Sequence, residues 1–409
     1  MSSRQQRRKL QRKRTSARTL QVGAGALALT LVPAAVAQAS TIKVTNLKDS
    51  GSGSLRAAIT AADSIPQAGT ELILFSSRLT GSIDLQTPLP AITRSIELHA
   101  PGAREVTING KSVPTDSGSL LDDTGAGTSL TVSGLSFTDS TQKSGSFITV
   151  NAAGAKSLKL VGDSFTGGKA TDGDGGAVFS YDTNAVTVDD CTFAHNSAEE
   201  GGGLWVGGSV DIKIEDSTLV DNVAQDGGGG FGSYNGGALT FTATTISGNA
   251  VSFSGTGTTA GYGGGIEIYG EGRLALRNTI VAGNTASGNQ SHTYRTHYRD
   301  VFLFGKHATM SASFSLIQHD TTGLTGLNAT DILGKSPDLG PLRDNGGATD
   351  TELPKGKSPV INAGRAFGLK TDQRGLKRTV EFPGVKKRKG SDGTDIGAVE
   401  LQGLHRKKK

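Results

Sequence analysis

Three acids stand immediately before glycine runs at matching places in the chain: Asp174, Glu200 and Asp226, each 26 residues from its neighbour. If the 26-residue interval is a structural repeat, the three carboxylates stack in a column. Like charges that close disfavour one another, so such a column either raises a carboxyl pKa or gathers a hard cation such as Ca²⁺, which takes six to eight oxygen ligands. Asp172 and Glu199 could add oxygens. The alternative is that these are turn acids which splay into water and only keep the surface soluble. Five residues beyond each acid stands an aromatic residue, Phe179, Trp205 and Phe231. In the next copy Tyr262 replaces the acid and Ile266-Glu267-Ile268 follows, so Glu267 points away from a core. By register the three rings point out with it and form a platform on which sugar rings can lie, as any flat π-face accepts an apolar ring face. Internal stacking is the competing arrangement, because register after glycine runs slips easily by one.

A third group lies in the insertion SGNQSHTYRTHYRD, Ser287 to Asp300. It holds His292, Tyr294, Arg295, His297, Tyr298 and Arg299, a mixture of cations, imidazoles and rings suited to an anionic polysaccharide, as a binding patch or as acid/base machinery. Two histidines five residues apart supply too few ligands for a metal. A second insertion, Ala250 to Tyr262, is also long enough to carry function on a rigid scaffold. Both remain open to the simpler reading of exposed connections.

These residues need a scaffold that brings distant repeats into register. Apolar or small residues fall at i, i+2, i+5 and i+7 in seven sets, from Leu130, Val132, Leu135 and Phe137 to Met310, Ala312, Ser315 and Ile317. Steps of two denote strand, and the step of three denotes a bend after which alternation resumes. The glycine run marks another turn before a third short strand. Three short strands per unit of roughly 27 residues, each stacking on its equivalent in the next unit, predict an all-β right-handed parallel β-helix. A helical repeat would show a period near 3.6, which is missing.

Asn196, Asn222, Asn249 and Asn284 each follow the last apolar position of a unit by three residues, so their amides are expected to form a ladder that holds the turn. Cys191 takes an inward position filled by Ser217 and Thr244 elsewhere and reads as a small packing residue. Asp163 shares that column, and a buried carboxylate needs a partner or a proton. A short amphipathic helix over Ser54 to Ala62, with Leu55 and Ile59 on one side, is expected to cover the open first coil.

The ends and the composition bound the remainder. Eight Lys and Arg precede an apolar stretch from Leu20 to Val36 and the sequence Ala37-Gln38-Ala39, which together read as a secretory signal over residues 1–39. No later apolar run could span a membrane. Without the signal, 34 Lys and Arg face 37 Asp and Glu. Setting aside the basic clusters KKRK (386–389) and RKKK (406–409) leaves 26 against 37, an acidic body that argues against a nucleic-acid partner. One cysteine permits no internal disulfide, and 59 glycines suit a turn-rich strand protein.

Several of these segments resemble known families. FxxN (Phe193 to Asn196) and GGA followed by an aliphatic residue (Gly175 to Val178, Gly236 to Leu239) resemble polymorphic outer-membrane protein repeats, which fold as right-handed β-helices. DSGSGSLRAAITAAD (Asp49 to Asp63) is similar to the entry segment of extracellular β-helix proteins of the CSLREA type. SPDLGPLRDNGGATDTELPKGKSPVINAG (Ser336 to Gly364), TDQRG (Thr371 to Gly375) and DIGAVEL (Asp395 to Leu401) resemble the choice-of-anchor Q domain. Members of that group often finish with a sorting tail, whereas this chain ends in HRKKK. The resulting expectation is a signal (1–39), a β-helix with its amino-terminal cap (40–325) and an anchor-like carboxyl segment with a basic tail (326–409).

Function follows as an expectation. The protein is secreted or on the cell surface, monomeric and without enzymatic activity. It binds glycans or cell-envelope polymers in an adhesion-type role, with its basic tail on anionic wall polymers. The alternative is a polysaccharide lyase or glycoside hydrolase acting on an acidic polysaccharide, and a purely structural spacer would bind nothing through either column.

Overall fold

The computed structural model describes residues 41–65, 69–152, 154–208, 210–252, 261–287, 298–319 and 324–403. The signal-like segment 1–39 lies outside them. Short strands stack in parallel into three sheets of ten, fourteen and seven strands. The chain visits the three in turn on each circuit, and the result is a parallel β-helix. The helix Leu55–Asp63 covers its first coil: Ser54 caps it, its side chain accepting from Ala57 N–H, and Leu55, Ala58, Ile59 and Ala62 are buried. Among the described residues no helix is long and apolar enough to cross a membrane.

The i, i+2, i+5, i+7 pattern is the core itself. Leu130, Leu158, Val186, Ile212, Leu239, Leu274 and Met310 are register partners on successive strands of the first sheet and at most 5% exposed. On the second sheet Phe137, Phe165 and Phe193 stack with centroids 5.1 and 4.7 Å apart. Because each column lines up like with like, burial of one residue type is repeated along the rod, each side chain contributing roughly 1.5–3 kcal/mol.

The step of three is a bend in which position i+4 takes positive φ in all seven sets: Gly134, Gly162, Asp190, Asp216, Ala243, Asn278 and Phe314. Glycine tolerates this conformation best and aspartate and asparagine next, whereas Ala243 and Phe314 hold it against their intrinsic preference. The residue after it turns inward and hydrogen-bonds along the rod. Leu135 N–H donates to Asp163 Oδ1 (2.8 Å), Asp163 N–H to Cys191 Sγ (3.4 Å) and Cys191 N–H to Ser217 Oγ (3.0 Å). Asp163 therefore has its partners, since its other oxygen accepts from Val161 N–H at 3.0 Å. Burial outweighs both bonds and holds its pKa up to about 8. Cys191 is fully buried, and burial pushes its thiol further from ionisation, as befits a packing residue.

The asparagine ladder forms as its spacing requires. Asn196 Nδ2 donates to Asn222 Oδ1 (2.9 Å), Asn222 to Asn249 (2.9 Å) and Asn249 to Asn284 (3.0 Å), and Asn284 finishes on Asp300 Oδ1 (2.9 Å). All four asparagines are 0% exposed.

The carboxyl stretch beyond Asp331 runs back along the outside of the second sheet. There Thr192, Thr218 and Thr245 form one column of register partners. Gln373 reads two of them, its Nε2 donating to Thr192 Oγ1 (2.9 Å) while its Oε1 accepts from Thr218 Oγ1 (2.6 Å). Thr245 Oγ1 accepts from Ala398 N–H at 3.1 Å. The TDQRG and DIGAVEL stretches join one another through Gln373 N–H to Ala398 O (3.0 Å) and Glu400 N–H to Asp372 Oδ2 (3.0 Å).

Candidate functional site

The outer face of the third sheet carries two rows of side chains. Strand alternation turns Val178, Leu204, Phe231, Ile266 and Val301 inward, and the next residue of each strand outward. The first outward row is Phe179, Trp205, Gly232, Glu267 and Phe302 in mutual register. The second is Tyr181, Gly207, Tyr234, Tyr269 and Phe304.

This register corrects two sequence expectations. Phe231 does not continue the Phe179–Trp205 column. Its register partner is Leu204, it is 0% exposed, and its ring meets Phe241 edge-on inside the core at 5.2 Å. Asp226 likewise drops out of the acid column. Ser197 pairs with Val223 and Ala198 with Ala224, but Glu200 pairs with Gly227, so one residue is absorbed in an irregularity between them. The cause is the glycine run, three long after Glu200 and four long after Asp226. Asp174 and Glu200 remain equivalent, because Gly175 N–H donates to Glu200 O (2.9 Å) as Gly201 N–H donates to Gly227 O (3.0 Å). Tyr262 continues that column through its bridge to Gly227. The column thus reads Asp174, Glu200, Gly227, Tyr262, with two acids where three were expected to hold Ca²⁺.

Trp205 points outward and is nevertheless only 2% exposed. Its ring is parallel to Phe179 (4.9 Å, 6°) and close to Tyr181 (6.2 Å, 17°), over the bare backbone of Gly207 and Gly232. Its Nε1 donates to Glu200 Oε2 at 3.4 Å. Outward and buried are therefore both true of this ring, a combination the choice between platform and core did not contain. The carboxylate of Glu267 lies over Gly227, occupying the space a Cβ there would need. Glu200 and Glu267, both 8% exposed, are thereby brought to neighbouring rungs beside Trp205.

Farther along, the face is open. Tyr234, Tyr269 and Phe304 form a continuous stack with centroids 5.5 and 4.8 Å apart, and Tyr269 and Phe304 are 42% and 53% exposed. Phe302 joins the two rows, 4.3 Å from Tyr262, 5.0 Å from Tyr298 and 6.3 Å from Phe304. His292, Tyr294, Arg295 and His297 lie outside the described residues. Arg299 and Tyr298, at the end of the same insertion, are half-buried where this aromatic group begins. Tyr234, Tyr269, Phe302 and Phe304 were not singled out from sequence. Their signal is the strand alternation in GSYN, IEIYG and VFLFG, where an outward position is repeatedly aromatic.

A different acidic group is the tightest among the described residues: ligand oxygens of Asp189, Asp190 and Asp216 all lie within 4.8 Å of one another. It arises because Asp190 and Asp216 occupy the positive-φ bend position on adjacent coils. Burial, reinforced by Asp189 and Asp216, pushes the pKa of Asp190 up to about 8. Arg378 of the carboxyl stretch seals the group, its Nε donating to Asp216 Oδ1 at 3.1 Å.

With the geometry in place, comparison agrees with it: a family model described as a right handed beta helix region matches residues 106–286. The protein is a right-handed parallel β-helix capped by an amino-terminal helix. No curated protein matches the chain.

Proposed function

We propose that the protein is a secreted or cell-surface glycan-binding protein whose ligand lies along the outer face of the third sheet. The observation that carries this reading is the stack of Tyr234, Tyr269 and Phe304, which leaves large rings in water on a rigid strand surface. Exposed, aligned rings on neighbouring strands offer apolar faces at about 4.8 Å spacing with little entropy left to lose, which suits the flat apolar faces of successive sugars. Glu267, in register between Gly232 and Phe302, borders this stack and favours a neutral glycan over a polyuronate, since like charge repels an acidic chain. Anchor-type attachment, suggested by the carboxyl motifs, is compatible with this role.

The test is retention in affinity gels containing neutral β-glucan, xylan or chitin derivatives, with polygalacturonate as the acidic comparison. Retention by a neutral gel that is lost in Tyr269→Ala and Phe304→Ala supports the reading. Equal retention of the double variant, or retention only by polygalacturonate, removes it. A second reading, glycoside hydrolysis, is favoured by one observation, the convergence of Glu200 and Glu267 beside Trp205. Release of reducing ends that disappears in Glu267→Gln would establish it in place of simple binding.

A further inference from the structure

The charge of this molecule is divided between its parts. Residues 41–334 hold 17 Lys and Arg against 28 Asp and Glu, whereas residues 335–403 hold 13 against 9. A basic segment therefore wraps an acidic rod. Some of its cations are already paired: Arg378 with Asp216 of the rod, and Arg374 with Asp372 (2.7 Å) and Lys355 with Asp338 (3.1 Å) within the segment itself. Lys386, Lys387 and Lys389 are not used in this way. All three are exposed, and among the described residues Lys386 and Lys389 have no ion-pair partner, while Lys387 reaches Glu381 only at 4.0 Å.

The loop that presents them is built rather than loose. Asn362 is 0% exposed and brackets its near side, donating from Nδ2 to Phe382 O (2.9 Å) and Val385 O (2.7 Å) and accepting from Phe382 N–H (2.7 Å). Arg388 pins the far side. Its N–H donates to Asn362 O at 3.1 Å and its Nη2 to Asp331 O at 2.9 Å, at the last strand of the second sheet. One cation of the run KKRK is thus turned to the rod as a fastener, and the other three are held in water. Asp392, the next acid along, is engaged with Ala366 N–H and Thr394 N–H.

We propose that Lys386, Lys387 and Lys389 form a second binding site, for a linear polyanion whose charges are phosphates or carboxylates along a flexible chain. The sequence favours such a chain over a nucleic acid because no aromatic residue is interleaved in the run Lys386-Lys387-Arg388-Lys389 on which a base could stack. Recognition is by charge, and a loop already fixed at both ends loses little freedom on binding. The site is independent of the aromatic face, so the rod can hold a neutral glycan on its side and a polyanion at its carboxyl segment.

The experiment uses the chain without residues 1–39 and measures retention on immobilised inorganic polyphosphate and on polygalacturonate over a range of salt. Three forms are compared: unaltered, Lys386→Ser/Lys387→Ser/Lys389→Ser, and the corresponding triple Lys→Arg. The proposal expects the serine form to bind at least tenfold more weakly at low salt, with a salt dependence shallower by two to three charges. The arginine form should bind as the unaltered chain does. Preference for one gel would assign phosphate or carboxylate as the charge read. Unchanged binding of the serine form, binding abolished by removing residues 404–409 alone, or tighter binding to duplex DNA than to either polymer would each overturn the proposal. Retention on neutral glycan gels should be the same in all forms, which keeps this test separate from that of the aromatic face.

Discussion

Arg378 and Asp216 lie 162 residues apart in sequence and meet in the interior, the guanidinium donating from Nε at 3.1 Å and from Nη2 to the same carboxylate oxygen. Both are almost fully buried, and Glu400 lies 3.9 Å from Nη1. This contact joins the carboxyl segment to the bend column of the rod. Truncation to Arg378→Ala should cost about 3–5 kcal/mol, because it leaves the buried Asp216 carboxyl and the carbonyls of Gly397 and Ala398 without their donor. The expected signs are a lower unfolding midpoint and early cleavage of the segment 335–403 in limited proteolysis. A variant as resistant as the unaltered chain would show that Gln373 and the threonine column suffice.

The same cluster sets a pH dependence. Burial raises the pKa of Asp190 and Glu400 to about 8 and that of Asp216 to about 7. A carboxyl whose folded pKa lies above its unfolded value binds more protons when folded, so stability falls as pH rises between the two values. The contribution is complete below about pH 4 and lost by about pH 8. Denaturant midpoints at pH 5, 6, 7 and 8 should therefore decline, and Asp190→Asn should flatten the decline. A flat profile in the unaltered chain would contradict the raised values.

Asn222 donates its amide to Asn249 and to Phe193 O (3.0 Å), and its Oδ1 accepts from Asn196. Asn222→Ala breaks the ladder in the middle and strands several buried groups, each costing about 1–3 kcal/mol. Thermal unfolding should move down by several degrees, more than for removal of an end member such as Asn284, whose side is shared with Asp300.

Trp205 and the pair Tyr269 and Phe304 should separate stability from binding. Trp205→Ala empties a site that is 2% exposed and should cost about 3–5 kcal/mol. Tyr269→Ala and Phe304→Ala remove exposed rings and should leave the unfolding midpoint nearly unchanged while abolishing retention on glycan gels. The measurement is one denaturation curve and one affinity gel for each variant.

Gly227→Ala probes the junction of the two carboxylates. A Cβ there meets the Glu267 carboxylate, the far end of a flexible side chain, so the expected result is a displaced Glu267 at modest cost in stability. Altered ligand preference with an unchanged fold, read by circular dichroism and gel retention, is the expected outcome.

By itself the sequence determined the β-helix, its inward columns, the asparagine ladder and the covering helix. Each is written by residue type at fixed spacing: Leu158 pairs with Leu130 and Val186, and Phe165 with Phe137 and Phe193, because burial demands the same class at every rung. The site was legible only in part. Trp205 and Phe179 did stack on the outer face, but Phe231 and Asp226 did not follow, since the extra glycine is taken up at a place decided by hydrogen bonds between neighbouring strands. The meeting of Arg378 with Asp216, and of Gln373 with Thr192 and Thr218, likewise left no periodic signal. Those contacts join segments more than 150 residues apart, and only the path of the folded chain along the outside of the rod brings their polar groups together.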